Sequence, residues 1–215
     1  MSMVERGFFI AVEGIDGSGK TTQAHLLAGW IFDQYRKSDS VVLTREPSAT
    51  KFTKEIHETL NASRADAASV PKDRILELFI LDREEHVDKV IAPSIHAGRI
   101  VVCDRYKYST IAYQSAQGIL SSELVSKNAG FPIPDVVLVF NADPETCVKR
   151  MASSRKNLDA FEKQSFLEKV KKQYVNLPRL LPNEKFIFID ANQSIEKTHQ
   201  DAIAAVKSYL DAWSK

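Results

Sequence analysis

The sequence is short of cysteine, of net charge and of long hydrophobic runs, and each shortage removes a class of function. Its two cysteines, Cys103 and Cys147, form no CxxC pair. They make neither a disulfide framework nor a thiolate metal cluster, and their apolar or helical surroundings suit reduced, buried thiols. Lysine and arginine number 29 against 28 aspartates and glutamates, a formal charge of +1. So balanced a chain has no global positive field to hold nucleic acid or an anionic membrane, and an anionic ligand has to be met locally. The strand-like apolar runs are about five residues long, against the roughly 20 that a membrane-spanning helix needs. The stretch Met1 to Gly7 lacks the apolar core of a secretory leader. Neither a repeat nor a low-complexity tract is present. These features predict a soluble, cytoplasmic protein with neither a nucleic-acid nor a membrane partner.

What the sequence does have is apolar residues in quantity, 44% of 215, sufficient for one substantial core and a single domain over residues 1–215. Short runs rich in Val, Ile and Phe recur at Phe8–Val12, Val41–Leu43, Ile100–Cys103, Val136–Phe140 and Phe186–Ile189. They do not alternate with polar residues, which is the pattern of strands buried on both faces of a parallel sheet. Helical patterns fill the intervals, at Thr21–Tyr35, Lys51–Leu60, Lys72–His96, Glu145–Met151, Phe161–Leu180 and Ile195–Trp213. Pro71 is placed to start one helix and Gly98 to end it. The alternation predicts an α/β fold with five parallel strands covered by helices on both faces. Ser153–Asp159 is polar and reads as a loop.

The first strand runs into Gly14-Ile15-Asp16-Gly17-Ser18-Gly19-Lys20-Thr21, which satisfies GxxxxGK[ST] and leads straight into a helix. Small residues let backbone N–H groups converge on phosphate oxygens, and the helix N-terminus adds partial positive charge. The motif assigns Gly14, Asp16, Gly17, Ser18, Gly19, Lys20, Thr21 and Thr22 to the nucleotide. Lys20 is to reach the β- and γ-phosphates of ATP, and the Thr21 hydroxyl to bind Mg²⁺. Such a loop identifies the donor and leaves the reaction open. The guanine-reading Asn-Lys-x-Asp sequence is absent.

Four further stretches bear on the acceptor. Asp104-Arg105-Tyr106 follows the third strand, at the end where ligands of such folds bind. Phe79 and Arg83 are four apart on one predicted helix and share a face, as do Ser109 and Tyr113. Taken alone, Phe79 reads as a core residue. Arg45-Glu46-Pro47 follows the second strand and on its own is a turn signal. Asp16 reads equally well as a solvated loop carboxylate.

Together the phosphate loop, the Glu-Pro loop, the Asp-Arg-Tyr motif and the polar lid stretch, in this order over essentially the whole chain, resemble the thymidylate kinase family. The resemblance implies transfer of the γ-phosphate of ATP to dTMP. It implies that Arg105 bridges the acceptor and transferring phosphates and that Asp104 holds Mg²⁺. It implies also that Phe79 stacks on the base, Arg83 bonds a base carbonyl, Arg45 and Pro47 line the acceptor, and Asp16 meets the sugar 3′-hydroxyl. Ser109 and Tyr113 would face the sugar, the tyrosine ring excluding a 2′-hydroxyl. Gly17 stands where some members carry an arginine, so the catalytic arginine is expected from a mobile lid at about 152–160, with Arg155 the best match and Arg150 and Lys156 behind it. Two departures concern phosphate clamping: Ala160 interrupts the lid's Asp-Arg-x-Glu pattern, and His57 stands where many members have arginine. The resemblance also implies a homodimer built on helix faces. The phosphate loop alone leaves open another deoxynucleoside or nucleoside-monophosphate kinase, or a nucleotide-binding switch without phosphotransfer.

Overall fold

The computed structural model describes residues 6–35, 41–65, 71–152 and 160–214. Five strands, β1 (Phe8–Glu13), β2 (Val41–Arg45), β3 (Ile100–Asp104), β4 (Val136–Asn141) and β5 (Phe186–Asp190), form one parallel sheet in the order β2-β3-β1-β4-β5. The helices between them are α1 (Lys20–Gln34), α2 (Thr53–Ala65), α3 (Lys72–His86), α4 (Ala92–His96), α5 (Lys107–Ala116), α6 (Ser121–Asn128), α7 (Pro144–Ala152), α8 (Ala160–Leu180) and α9 (Ile195–Trp213). A π turn at Val87–Ile91 joins α3 to α4, so the predicted helix Lys72–His96 is one continuous rod with a local change of winding. Pro71 caps it, and Gly98, at φ 73°, turns the chain into β3.

The inner strands β1, β3 and β4 are apolar and buried almost throughout, each buried aliphatic or aromatic side chain contributing about 1.5–3 kcal/mol. The expectation of burial on both faces fails for β2 and β5. Each pairs on one side only, and Leu43 and Phe188 remain over a third exposed. The sequence reading also stops short at the strand ends and passes over α5 and α6. Every strand continues one or two residues past its apolar run to a polar one: Glu13, Arg45, Asp104, Asn141 and Asp190. Arg45 stands opposite Asp104, and Asn141 opposite Asp190. A row of polar groups therefore crosses the C-terminal edge of an otherwise apolar sheet. Because β3 and β4 flank β1 on opposite sides, the chain reverses direction across β1, and the crevice at that reversal is where ligands of this architecture bind. Both cysteines are free and buried, and among the described residues no helix is long and apolar enough to cross a membrane.

Candidate active site

The turn from β1 to α1 rests on three glycines with positive φ, Gly14 at 147°, Gly17 at 83° and Gly19 at 88°. At Gly14 a Cβ would lie 2.7 Å from the Phe140 carbonyl oxygen, so the loop passes too close to β4 for any side chain. At Gly17 it would lie 2.6 Å from the Cys147 carbonyl oxygen and 3.0 Å from its Cα, which means that α7 is seated directly on the loop. An arginine at this position would need α7 moved.

Lys20 opens α1 and is buried, its Nζ 3.7 Å from Asp16 Oδ1 and 3.4 Å from the Ile15 carbonyl oxygen. Burial and the Arg105 guanidinium lower its pKa to about 8 from 10.5, against the opposing pull of Asp16, Asp104 and Glu13. Thr21 donates its hydroxyl to Asp104 Oδ2 at 2.6 Å, which ties the start of α1 to the end of β3. The other oxygen, Asp104 Oδ1, is buried and has no hydrogen-bond partner among the described residues. A buried carboxylate oxygen left unpaired beside a threonine hydroxyl fits Mg²⁺, a hard cation that takes few protein oxygens and keeps several waters. Ser18 lies buried in the loop, and Thr22 is exposed on α1.

Arg105 directly follows β3 at φ 71°, a left-handed conformation rare for a side chain of this size. Its N–H donates to the Val12 carbonyl at 2.9 Å, prolonging the ladder with β1. The guanidinium donates to Ser109 Oγ at 2.8 Å, lies 5.2 Å from the centre of the Tyr113 ring, and ion-pairs with Asp16 Oδ1. Lys20 and Arg105, 85 positions apart in sequence, therefore approach the same oxygen atom of Asp16. The Asp16 side chain is 47% exposed, so this clamp is not a large source of stability. Tyr113 closes the ring of contacts by accepting the Asp16 backbone N–H at 3.0 Å. Burial raises the pKa of its phenol, which stays protonated.

Arg83 is almost completely buried and turns inward. It donates to Glu46 at 2.8 Å, Asn128 at 2.5 Å and Thr110 at 2.8 Å, and lies 5.4–5.5 Å from the Tyr106 and Phe131 ring centres. Most of its five donors are thus spent inside the protein. The same helix holds the Glu-Pro loop twice more. Asp82 accepts from Ser48 N–H at 2.9 Å, Ser48 Oγ at 3.1 Å and Thr50 Oγ1 at 2.5 Å, and His86 pairs with Glu46 at 3.3 Å and Thr44 at 2.7 Å. Phe79, one turn before Arg83, is half-buried against Ile56, Ile75 and Leu78. Pro47 is half-buried, and Arg45 is exposed at the end of β2.

Sequence reasoning missed Glu13, which is fully buried at the end of β1. It accepts from Tyr106 N–H at 2.8 Å, Ser109 N–H at 3.2 Å, Ser109 Oγ at 2.6 Å and Tyr174 Oη at 2.9 Å. Burial raises its pKa, while these donors and Arg105 favour the carboxylate. Its signal was legible, since a carboxylate directly ends a fully apolar strand. Tyr174 gave none, standing as an ordinary apolar position of α8. Arg150 donates to the Ala191 carbonyl at 2.9 Å, His57 is exposed on α2, and Ala160 opens α8. Arg155 and Lys156 lie outside the described residues.

A family profile described as thymidylate kinase matches residues 12–202. A protein named "Probable thymidylate kinase" from Pyrococcus abyssi is 39% identical over 207 residues, covering 95% of this chain and 98% of its own. The thymidylate kinase of Desulfotalea psychrophila is 38% identical over 205 residues, covering 95% and 96%. Among solved structures, thymidylate kinase from Ehrlichia chaffeensis superposes with a TM-score of 0.73 at 30% identity, covering 94% of this chain and 99% of its own.

Proposed function

The chain belongs to the thymidylate kinase family, and we propose that it moves the γ-phosphate of ATP onto dTMP, giving ADP and dTDP, by the following use of its own side chains. The observation that carries this reading is the meeting of Lys20 and Arg105 on one oxygen of Asp16, across the crevice at the end of β1. One cation stands at the donor loop and the other directly after the acceptor strand, and an anionic oxygen, that of Asp16, already occupies the point where they meet.

Backbone N–H groups of Gly14–Thr21 and the start of α1 receive the ATP phosphates, with Lys20 on the β- and γ-phosphates. Thr21 and Asp104 would hold Mg²⁺, which when bound neutralises charge on those phosphates. Arg105 exchanges Asp16 for the acceptor phosphate, and Asp16, so released, turns to the sugar 3′-hydroxyl. Tyr113 and Ser109 border the sugar. Phe79 offers a half-buried aromatic face to the base, Arg83 its remaining N–H, and Arg45 and Pro47 close the acceptor side. The acceptor oxygen is already anionic, so no general base is needed and catalysis consists of positioning and charge stabilisation. Gly17 supplies no cation, so the lid, at about 152–160, brings Arg155 to the transferring phosphoryl and excludes water. The resemblance also supports a single domain, a cytoplasmic location and a homodimer.

The test is ADP release with ATP and each nucleoside monophosphate, and with thymidine. The expected result is turnover on dTMP, with dUMP slower by roughly 10–200-fold for want of one methyl. Turnover on thymidine but not dTMP, or nucleotide binding without turnover on any monophosphate, would overturn the assignment. Replacing Lys20 or Arg105 by Ala is expected to cut turnover roughly 10²–10³-fold.

A further inference from the structure

The hydrogen bonds behind Arg105 lead away from the crevice to a residue that nothing so far has given a role. Ser109 Oγ, which accepts from Arg105 at 2.8 Å, donates to Glu13 Oε2 at 2.6 Å and lies 2.9 Å from Tyr174 Oη. A hydroxyl has one proton. With the Ser109 proton on Glu13, the Tyr174 proton goes to Glu13 at 2.9 Å, and the Ser109 oxygen is left as an acceptor for Arg105. Glu13 also accepts the Tyr106 and Ser109 N–H groups, so one carboxylate holds both the turn that follows Arg105 and the first turn of α5. That turn needs holding, because Arg105 sits at φ 71°.

Tyr174 comes from α8, the helix that begins at Ala160, directly after the segment assigned to the lid. It lies on a buried stripe with Leu167, Val170 and Leu177, which packs its ring into the core and leaves the hydroxyl to make the contact. Phe166, on the same helix, touches the Tyr113 ring with centroids 6.2 Å apart. Both acceptor-side residues of α5, Ser109 and Tyr113, are therefore in contact with the helix that follows the lid.

We propose that Tyr174 is a positioning residue for phosphoryl transfer: through Glu13 and Ser109 its hydroxyl fixes Arg105 toward the acceptor phosphate and fastens α8 to the acceptor side of the site. The proposal rests on the role given above to Arg105. The Tyr174 hydroxyl bonds Glu13 and Ser109, on the Arg105 side of the site, so its removal is expected to act on turnover and leave ATP capture alone.

The experiment is a cycle of Tyr174→Phe, Ser109→Ala and the double variant, with Arg105→Ala alongside, read by steady-state turnover on dTMP and by calorimetric ATP binding. Tyr174→Phe keeps the buried ring and loses one hydrogen bond to a charged group, for which about a tenfold fall in kcat is expected, with the Kd for ATP unchanged within twofold. Ser109→Ala removes the link to Arg105, so adding Tyr174→Phe to it is expected to lower kcat by less than twofold more. Wild-type kcat in Tyr174→Phe while Arg105→Ala is inactive would overturn the role of Tyr174 and leave that of Arg105 standing. Independent, multiplying effects in the double variant would overturn the route through Ser109. Full turnover in Arg105→Ala would overturn both this proposal and the role given to Arg105. A parallel loss of ATP affinity in Tyr174→Phe would make the effect one of general folding and so contradict the proposal.

Discussion

Replacing Gly17 by Ala tests whether α7 is seated on the phosphate loop, and the structure gives the size of the effect. Two costs add. A residue with a Cβ at φ 83° pays about 1–2 kcal/mol for the left-handed backbone. Its Cβ also meets the Cys147 carbonyl oxygen at 2.6 Å and Cα at 3.0 Å, backbone atoms that no rotamer change can move aside. Overpacking of this kind costs about 1–3 kcal/mol. The sum is about 2–5 kcal/mol, and a chain of this length loses about 2–4 °C of Tm per kcal/mol, so a fall of about 4–20 °C is expected. Gly19→Ala is the control. Its φ is 88°, but a Cβ there meets none of the described residues within 4 Å, so the backbone cost alone applies and Tm is expected to fall by about 2–8 °C. The assay is thermal unfolding of both variants without nucleotide, followed by turnover at a temperature where both are folded. Because α7 leads to the segment that carries Arg155, Gly17→Ala is expected to lose kcat as well. Equal losses of Tm in the two variants would refute the close approach of α7 and, with it, the reason why an arginine is not accommodated at position 17.

Two further predictions follow from buried charge. Lys20 has a folded pKa of about 8, below its unfolded value of 10.5, so its ammonium disfavours the free fold below that pKa and the penalty is relieved as pH rises. In the proposed role of Lys20 the ammonium meets the ATP phosphates, so the sign for binding is opposite: the calorimetric Kd is expected to be flat up to about pH 7 and to weaken as pH rises through about 8, approaching tenfold per unit. A Kd unchanged between pH 8 and 9.5 would contradict the burial of Lys20. Away from the crevice, Lys107 and Glu184 form a buried ion pair at 2.9 Å, with Tyr108 donating to the same carboxylate. Glu184→Gln leaves a buried ammonium without its counter-charge and is expected to cost about 3–5 kcal/mol in denaturant unfolding, with kcat at low temperature unchanged. A loss below 1 kcal/mol would mean that the pair is solvated.

The architecture is legible because hydrophobic runs and helical patterns alternate everywhere except between β3 and β4, and the helix expected at Ile195–Trp213 has the observed ends. What the reading lost lies where local and functional demands compete. Apolar runs were cut at the first charged residue, yet Glu13, Arg45 and Asp104 still belong to strands, since parallel pairing to a neighbour carries the backbone past the apolar core. α5 carries the pair Ser109 and Tyr113 but is not legible as an element, because polar residues interrupt its apolar stripe and it starts two residues after the strained turn at Arg105. The strand–turn–helix at Gly14–Thr21 is readable from eight consecutive residues. Partners drawn from several elements were not: Arg83 answers to Glu46, Thr110 and Asn128 at once, and no spacing along the chain encodes that meeting. The clamp of Lys20 and Arg105 on Asp16 is of the same kind, a product of strand order rather than of sequence distance.

The central claim is that a donor cation and an acceptor cation face each other across one gap, and a single molecule that spans the gap tests it. Adenosine and thymidine joined 5′ to 5′ through a chain of phosphates should bind with one-to-one stoichiometry in calorimetry, at least tenfold more tightly than ATP or dTMP alone, because the second half binds without a second loss of translational freedom. Lys20→Ala and Arg105→Ala should each weaken it. Binding no tighter than ATP, and indifferent to Arg105, would contradict the account.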